Sequence, residues 1–153
     1  MIVLLFNIIL TNSVIFSFGA LLSLFFFNER ISKGNISEIP IFGIIFLSII
    51  ILFINFFLPI NKIVGTAILI LGLIFFTKII INKSEINKKI LKNIFLSSIV
   101  CFLILSYSNV YRPDAGLYHL PYISIINENK IIAGLANINF RYALASIVQY
   151  LSA

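Results

Sequence analysis

The sequence predicts an all-α protein, a polytopic transmembrane helical bundle of four spanning helices followed by a short segment outside the membrane. Three observations predict this class. Four long apolar runs follow one another along the chain. Of the 153 residues, 61% are hydrophobic and only 10% are charged. The positive charges gather between the runs. Because a soluble domain has about 25% charged residues, a lipid bilayer is the solvent that this composition fits.

Residues 1–111 hold four apolar runs, each close to the roughly 17–25 residues that a helix needs to cross a bilayer. Only a helix satisfies its own backbone hydrogen bonds in lipid, and no run alternates as a barrel strand does. We therefore predict four spans, with only Asn61 and Lys62 between the second and the third. The predicted spans are Met1–Phe27, Ile39–Ile60, Ile63–Ile81 and Asn93–Tyr111.

The pattern changes after the fourth run, and residues 112–141 predict a loop with short interfacial helices. Pro113 and Pro121 interrupt a continuing helix, although a proline is tolerated in a first helical turn. We predict a short helix over residues 121–127 and a turn at Gly134. The isoleucines of that helix suit a membrane surface better than a crossing; they are Ile123, Ile125 and Ile126.

Residues 142–153 are apolar again and predict the start of a fifth membrane helix. The stretch is about eight residues short of a full crossing. We therefore expect the chain to be the N-terminal part of a longer membrane protein. The alternative is that these residues form an interfacial tail.

The distribution of Lys and Arg predicts which side of the membrane each loop faces. With four spans, seven positive residues fall on one side and four on the other. Five of the seven lie in one loop between Lys78 and Lys92. Because cytoplasmic loops carry the excess of Lys and Arg, we predict that this loop is cytoplasmic and that the loop around Asp114 is extracytoplasmic.

The net charge of +6 does not predict nucleic-acid binding, because the positive residues lie between membrane runs and belong to no soluble domain. The partner that the composition predicts is membrane lipid. The lysine-rich loop is a topology anchor, or it binds anionic lipid. Cys101 lies inside an apolar run, where a small packing side chain is expected. Polar residues within the runs predict hydrogen bonds between helices; these residues are Asn7, Thr11, Asn12 and Asn55.

The loop holds the only Asp and the only His of the chain, Asp114 and His119. An Asp after Arg112 and Pro113 can serve as the N-cap of a short helix or as an ion-pair partner of the arginine. His119 is either a packed, hydrogen-bonded imidazole or a ligand. A metal site would need further ligands, and Glu128 is the nearest other acidic residue.

Downstream, Arg141 stands close to Asn137 and Asn139. A guanidinium group can form paired hydrogen bonds to a phosphate. The alternative for Arg141 is an anchor at the membrane interface. The residues by themselves leave both interpretations open.

Residues 114–121, D-A-G-L-Y-H-L-P, resemble the D-x(3)-Y-H-L-P signature of a group of large bacterial polytopic proteins. These proteins are similar to the GT-C glycosyltransferases, the superfamily of oligosaccharyltransferases and protein mannosyltransferases. Residues 134–141 and the closing L-S-A are similar to further elements of one uncharacterised subgroup. The resemblance covers about forty residues, from Asp114 to Ala153.

The resemblance implies a site at the outer surface of the bacterial inner (cell) membrane. Asp114 matches the aspartate that acts in catalysis in these enzymes, as a general base or, in metal-dependent members, as a ligand of a divalent metal. The donor implied is a polyprenyl-phosphate sugar. The residues expected to bind the substrate are Tyr118, His119, Asn137 and Arg141.

The function implied is therefore that of the N-terminal part of a GT-C-like glycosyltransferase, and we expect this stretch alone to be inactive. No resident cofactor is predicted beyond the divalent metal of some members. Two alternatives from other classes remain: a non-enzymatic transporter or carrier of lipid-linked sugars, and a structural membrane subunit.

Overall fold

In a computed structural model, seven helices and no strand are formed by the described residues, which are 1–27, 36–82, 84–107, 117, 119–138, 142 and 149–152. In chain order the helices are α1 (Ile2–Phe27), α2 (Ile39–Asn55), α3 (Lys62–Asn82), α4 (Ser84–Tyr107), α5 (Leu120–Glu128), α6 (Leu135–Ile138) and α7 (Gln149–Ser152).

Three helices are long and apolar enough to cross a membrane: Ile2–Phe26 in α1, Lys62–Ile81 in α3 and Ile86–Tyr107 in α4. Helix α2 is apolar but has only 17 residues. The all-helical prediction is thus confirmed for the described residues, and three of the four predicted spans correspond to helices long and apolar enough to cross a membrane. The chain folds into two compact units, a first unit of Met1–Phe46 with Ile68–Asn109 and a second unit of Leu47–Ala67 with Val110–Ala153.

Helix α1 is the centre of the first unit. Its side chains Phe16 and Ala20 are buried with Ile90 and Ile94 of α4 and with Ile39 of α2. The contacts also set helix directions. Asn12 meets Ser98, while Phe16 and Ala20 pack near residues that come earlier in α4. Helices α1 and α4 are therefore antiparallel.

Helices α1 and α3 run in the same direction. Val14 of α1 lies against Gly72, and the Phe18 ring meets the edge of the Phe75 ring at a centroid distance of 6.2 Å. The Ser17 hydroxyl, fully buried, lies 2.8 Å from the carbonyl oxygen of Gly72. Positions later in α1 therefore face positions later in α3.

Helices α1 and α2 approach so closely that two glycines are required at the crossing. A Cβ atom built on Gly19 would collide with the carbonyl oxygen of Ile39, and one built on Gly43 would collide with that of Ile15. These pairs also make the two helices antiparallel. Small residues let membrane helices approach at backbone distance, and van der Waals contact then replaces the lipid that would otherwise fill the gap.

Helix α4 begins nine residues before the predicted start at Asn93, so the expected loop around Lys88 and Lys92 is mostly helix. The physical reason is a stripe of isoleucines at a spacing of four. Ile86 packs against the core, and Ile90 and Ile94 are buried in it. Residues four apart share one helix face, and the lysines between them, Lys88, Lys89 and Lys92, have good helix propensity.

Helix α2 ends at Asn55, five residues before the predicted end at Ile60. The chain then turns, with the amides of Phe57 and Leu58 donating to the carbonyl oxygen of Ile54 at 3.0 and 2.9 Å. Pro59 disfavours helical geometry in the residue before it. The connection to α3 therefore has six residues instead of two, and Asn61 caps α3 through its Oδ1 atom, 3.1 Å from the amide nitrogens of both Ile63 and Val64.

Candidate functional site

Two of the five residues that the sequence assigns to the site lie in the described part of the chain. His119 stands directly before α5, and Asn137 lies in α6. Asp114, Tyr118 and Arg141 lie outside the described residues. The structure therefore describes the end of the predicted motif, from His119 into α5.

His119 occupies the N-cap position of α5, with helical backbone angles of φ −68° and ψ −51°. Its imidazole is half-buried and makes no capping hydrogen bond. Pro121 falls in the first turn, where its missing amide hydrogen costs nothing. The predicted helix at 121–127 is confirmed and extends by one residue at each end. The motif at residues 114–121 therefore ends inside the first turn of α5.

Helix α5 buries one face in the second unit. Tyr122 and Ile126, four residues apart, are 6% and 3% exposed. Ile126 was expected to face the membrane surface, and it packs inside the protein instead. The reason is that α5 has a partner: its last turn meets the chain just after α2, where Ile60 donates a backbone hydrogen bond of 3.0 Å to the carbonyl oxygen of Ile126.

Asn55 joins the end of α2 to α5. Its side chain is 1% exposed, and its Nδ2 atom lies 3.5 Å from the carbonyl oxygen of Ile126 and 3.1 Å from that of Asn129. Its own carbonyl oxygen accepts a hydrogen bond of 2.9 Å from the Ile131 amide. We call this group the Asn55 clamp. Helix C-termini leave carbonyl groups without partners. In the Asn55 clamp, a buried side-chain amide donates to two carbonyl oxygens at the C-terminal end of α5.

Three tyrosines complete the cluster. The hydroxyl oxygens of Tyr122 and Tyr150 are 3.3 Å apart, and their rings meet edge to face at 6.5 Å. The Tyr142 ring lies 5.7 Å from that of Tyr122. Tyr150 lies outside the three candidate spans, and burial together with the hydrogen bond to Tyr122 raises the pKa of its phenol. The Tyr150 hydroxyl therefore stays a neutral donor and acceptor at physiological pH.

A small cavity of about 50 Å³ lies between the clamp and the tyrosines, lined by Asn55, Tyr122, Asn129, Lys130 and Tyr150 among others. One water molecule needs about 10–15 Å³ of such space, so the cavity has room for water. Ligand pockets for larger molecules measure about 300–1,000 Å³. The cavity is therefore too small to serve as a sugar-binding site.

Asn137 is exposed on α6, and its backbone amide donates to the carbonyl oxygen of Gly134 at 2.9 Å. Gly134 has φ +87°, a left-handed conformation that a residue without Cβ adopts easily. The predicted turn at Gly134 is confirmed. The exposed side chain of Asn137 lies near this turn, and its predicted substrate-binding role stays a prediction.

In the part of the chain that the structure describes, no three His, Cys, Asp or Glu side chains come together to hold a metal ion. Asp114 is outside that part. Sequence reasoning predicted a hydrogen bond between helices for Asn55, which its bond to Ile126 of α5 confirms, and it missed the partner in the turn after α5, Asn129. A signal was present in the chain: Asn55 comes four residues before Pro59, where a helix must end.

The described residues form helices joined by turns, and three of the helices are candidate spans, so the chain is a helical membrane protein. The family described as "Domain of unknown function (DUF8201)" matches residues 1–153. The chain belongs to this family, which covers its full length. We found no match to the chain among the curated proteins or among the solved structures.

Proposed function

We propose that the protein is the N-terminal part of a GT-C-like glycosyltransferase that moves a sugar from a polyprenyl-phosphate donor. The observation that carries the proposal is the D-x(3)-Y-H-L-P motif at residues 114–121, which leads into α5. Since α5 is fixed to the end of α2 by the Asn55 clamp, the motif has a rigid support on one side. Rigid support favours a group that must meet a substrate in one orientation.

In the proposed reaction Asp114 accepts the proton of an acceptor hydroxyl group. The hydroxyl oxygen forms a bond to the anomeric carbon of the sugar while the bond between that carbon and the donor phosphate oxygen breaks. The polyprenyl phosphate leaves with the bonding electrons. The residues proposed to hold the phosphate or the sugar are Tyr118, His119, Asn137 and Arg141.

Four spans would place this site on the side of the membrane opposite the lysine-rich segment between Lys78 and Lys92. The support comes from helix directions in the first unit. Helices α1 and α3 are parallel, and two parallel spans of one chain require a return crossing between them. Helix α2 runs antiparallel to α1 between these spans. Its 17 residues reach the lower limit for a crossing.

Single cysteines test this topology, in a chain in which Cys101 is replaced by Ser. Exposed positions are used: Lys88→Cys on α4, and Leu58→Cys and Glu128→Cys in the second unit. A membrane-impermeant thiol reagent on intact cells should label the cysteines at 58 and 128, and should label the cysteine at 88 only after the cells are opened. Labelling of the cysteine at 88 in intact cells would reverse the topology and remove the catalytic proposal.

Asp114→Asn tests the chemistry in the complete protein in its own membranes. Removal of a general base should slow transfer by about 10²–10⁴-fold, measured as release of polyprenyl phosphate from the lipid-linked sugars of the same cells. Asn also caps a helix well, so a purely structural Asp114 predicts little change. Glu128→Gln is the matched control, because it removes one exposed carboxylate from α5.

Release that stays normal in Asp114→Asn would refute the catalytic role. If neither variant nor the original protein releases polyprenyl phosphate, while lipid-linked sugar still binds and crosses the membrane, the protein is a carrier and not a transferase.

A further inference from the structure

A groove of about 530 Å³ lies in the first unit, between the N-terminal half of α2 and α4. Ile15 and Phe16 of α1 line its floor, and Pro40 and Ile44 line the α2 side. Its volume is within the roughly 300–1,000 Å³ of ligand pockets. The lining is mostly apolar, so the groove suits a hydrocarbon ligand.

The α4 wall of the groove is one stripe of residues at helical spacing. Asn93, Ser97 and Cys101 are each four residues apart and all line the groove. At about 1.5 Å per residue the stripe is roughly 12 Å long. It is polar at the Asn93 end and becomes apolar toward Cys101.

The same stripe continues beyond Asn93 into two lysines. Lys89 precedes Asn93 by four residues, and Lys92 precedes Leu96, another groove residue, by four. Residues four apart lie on one helix face, so both lysines extend the groove-facing side of α4. Both are exposed. The sequence places Glu38 directly before α2 and Glu85 four residues before Lys89 in α4. The same part of α4 carries three lysines, Lys88, Lys89 and Lys92, so positive residues outnumber acidic ones there.

We propose that this groove binds one acyl chain of an anionic phospholipid, whose phosphate headgroup is held by Lys89 and Lys92. Lysines beside a membrane surface attract anionic lipid, and their long stems can lie along apolar surface while the charge stays at the headgroups. A helix of about 10 Å diameter over the same length would occupy roughly 900 Å³. A single hydrocarbon chain therefore fits the groove better than a further helix. The proposal is independent of any sugar transfer.

The test is native mass spectrometry of the purified protein in detergent, after addition of phosphatidylglycerol or phosphatidylcholine with the same acyl chains. The original protein should retain phosphatidylglycerol at least about tenfold better, given the attraction of two lysines. Lys89→Gln with Lys92→Gln should abolish this preference, and the matched arginine pair should keep it.

Two controls separate this site from general attraction to a basic protein. Lys62→Gln with Lys78→Gln removes the same charge from exposed positions of α3, which does not line the groove; it should keep the preference. Cys101→Phe fills the groove without changing charge and should abolish retention of phosphatidylglycerol. Leu103→Phe, at an exposed position outside the groove lining, should keep it.

Equal retention of the two lipids by the original protein would overturn the proposal. So would an equal loss in the two lysine pairs, which would reduce the effect to net charge. A dimer that disappears in Cys101→Phe, in place of bound lipid, would assign the groove to a second copy of the chain and would also overturn the proposal.

Discussion

Each of the two units is stabilised internally by a different kind of contact. In the first unit, helices pack through small residues and a buried apolar cluster, as at Gly19 and Ile90. In the second unit, a buried amide collects backbone carbonyls, and tyrosine hydroxyls meet each other. Long helices form their own backbone hydrogen bonds, so a neighbouring helix needs only a complementary surface. Short helices and turns leave backbone groups unsatisfied, and these require polar partners.

The largest expected effect tests the close packing of α1 against α2 in the first unit. Gly19→Leu should lower the free energy of unfolding by about 3 kcal/mol, because the added atoms meet the backbone carbonyl of Ile39, which cannot rotate away. Denaturant titration in detergent micelles measures this loss.

Gly65→Leu is the matched control. It gains the same helix propensity on α3, and a side chain there meets open space. Equal stability of the two variants would mean that close approach of α1 and α2 does not stabilise the first unit.

The next effect tests the polar contacts of the second unit. Asn55→Leu should cost about 2 kcal/mol, because it removes the side-chain donor from the carbonyl oxygens of Asn129 and Ile126 and leaves only the Ile60 amide on the second of them. The loss should be local: amide hydrogen exchange should accelerate at Ile131, whose amide bonds to the carbonyl oxygen of residue 55, and not at Ile94.

Asn129→Leu provides the comparison, since Asn129 contributes its carbonyl oxygen to the Asn55 clamp and its side chain is exposed. Its exchange pattern should stay unchanged. Faster exchange throughout both units after Asn55→Leu would contradict a difference between them.

The smallest effect concerns a polar contact inside the first unit. The Nδ2 atom of Asn12 lies 2.9 Å from the hydroxyl oxygen of Ser98. Hydrogen bonds between membrane helices average about 0.6 kcal/mol, and the apolar core joins α1 to α4 without this one. Asn12→Leu should therefore cost about 0.6 kcal/mol in the same titration.

A double-mutant cycle with Ser98→Ala isolates the pair energy. Asn7→Leu, at an exposed position of α1, should change stability by less. A coupling energy of about 2 kcal/mol would be well above that average. It would mean that polar contacts stabilise the first unit as much as the second, and would contradict the difference between them.

Hydrophobic length predicted α1 and α3 nearly to the residue, because both helices are apolar along almost their whole length. The same reasoning was wrong about the start of α4. Lysines there interrupt the apolar composition while Ile86 and Ile90 keep the helical spacing. Composition predicts where a chain meets lipid, and periodicity predicts where a helix meets protein.

Asn12 and Asn55 show the same limit for the site. The sequence predicted hydrogen bonds between helices for both, and this is confirmed for Asn12 with Ser98 of α4. It is confirmed for Asn55 with the carbonyl oxygen of Ile126 in α5, and Asn55 also bonds to the carbonyl oxygen of Asn129 in the following turn. No local pattern specifies the partner, since Ile126 and Asn129 lie 71 and 74 residues away along the chain.

The sequence by itself determined the helical membrane class, the short helix after the motif and the turn at Gly134. Each depends on contacts with solvent or lipid, or on backbone angles within a few residues. Only the tertiary structure decided which face of α5 is buried, where α2 ends, and that a groove with a lysine-bearing end lies along α4. These features depend on pairs of helices whose faces meet in space, and the free energy of such contacts is set by residues far apart in the chain.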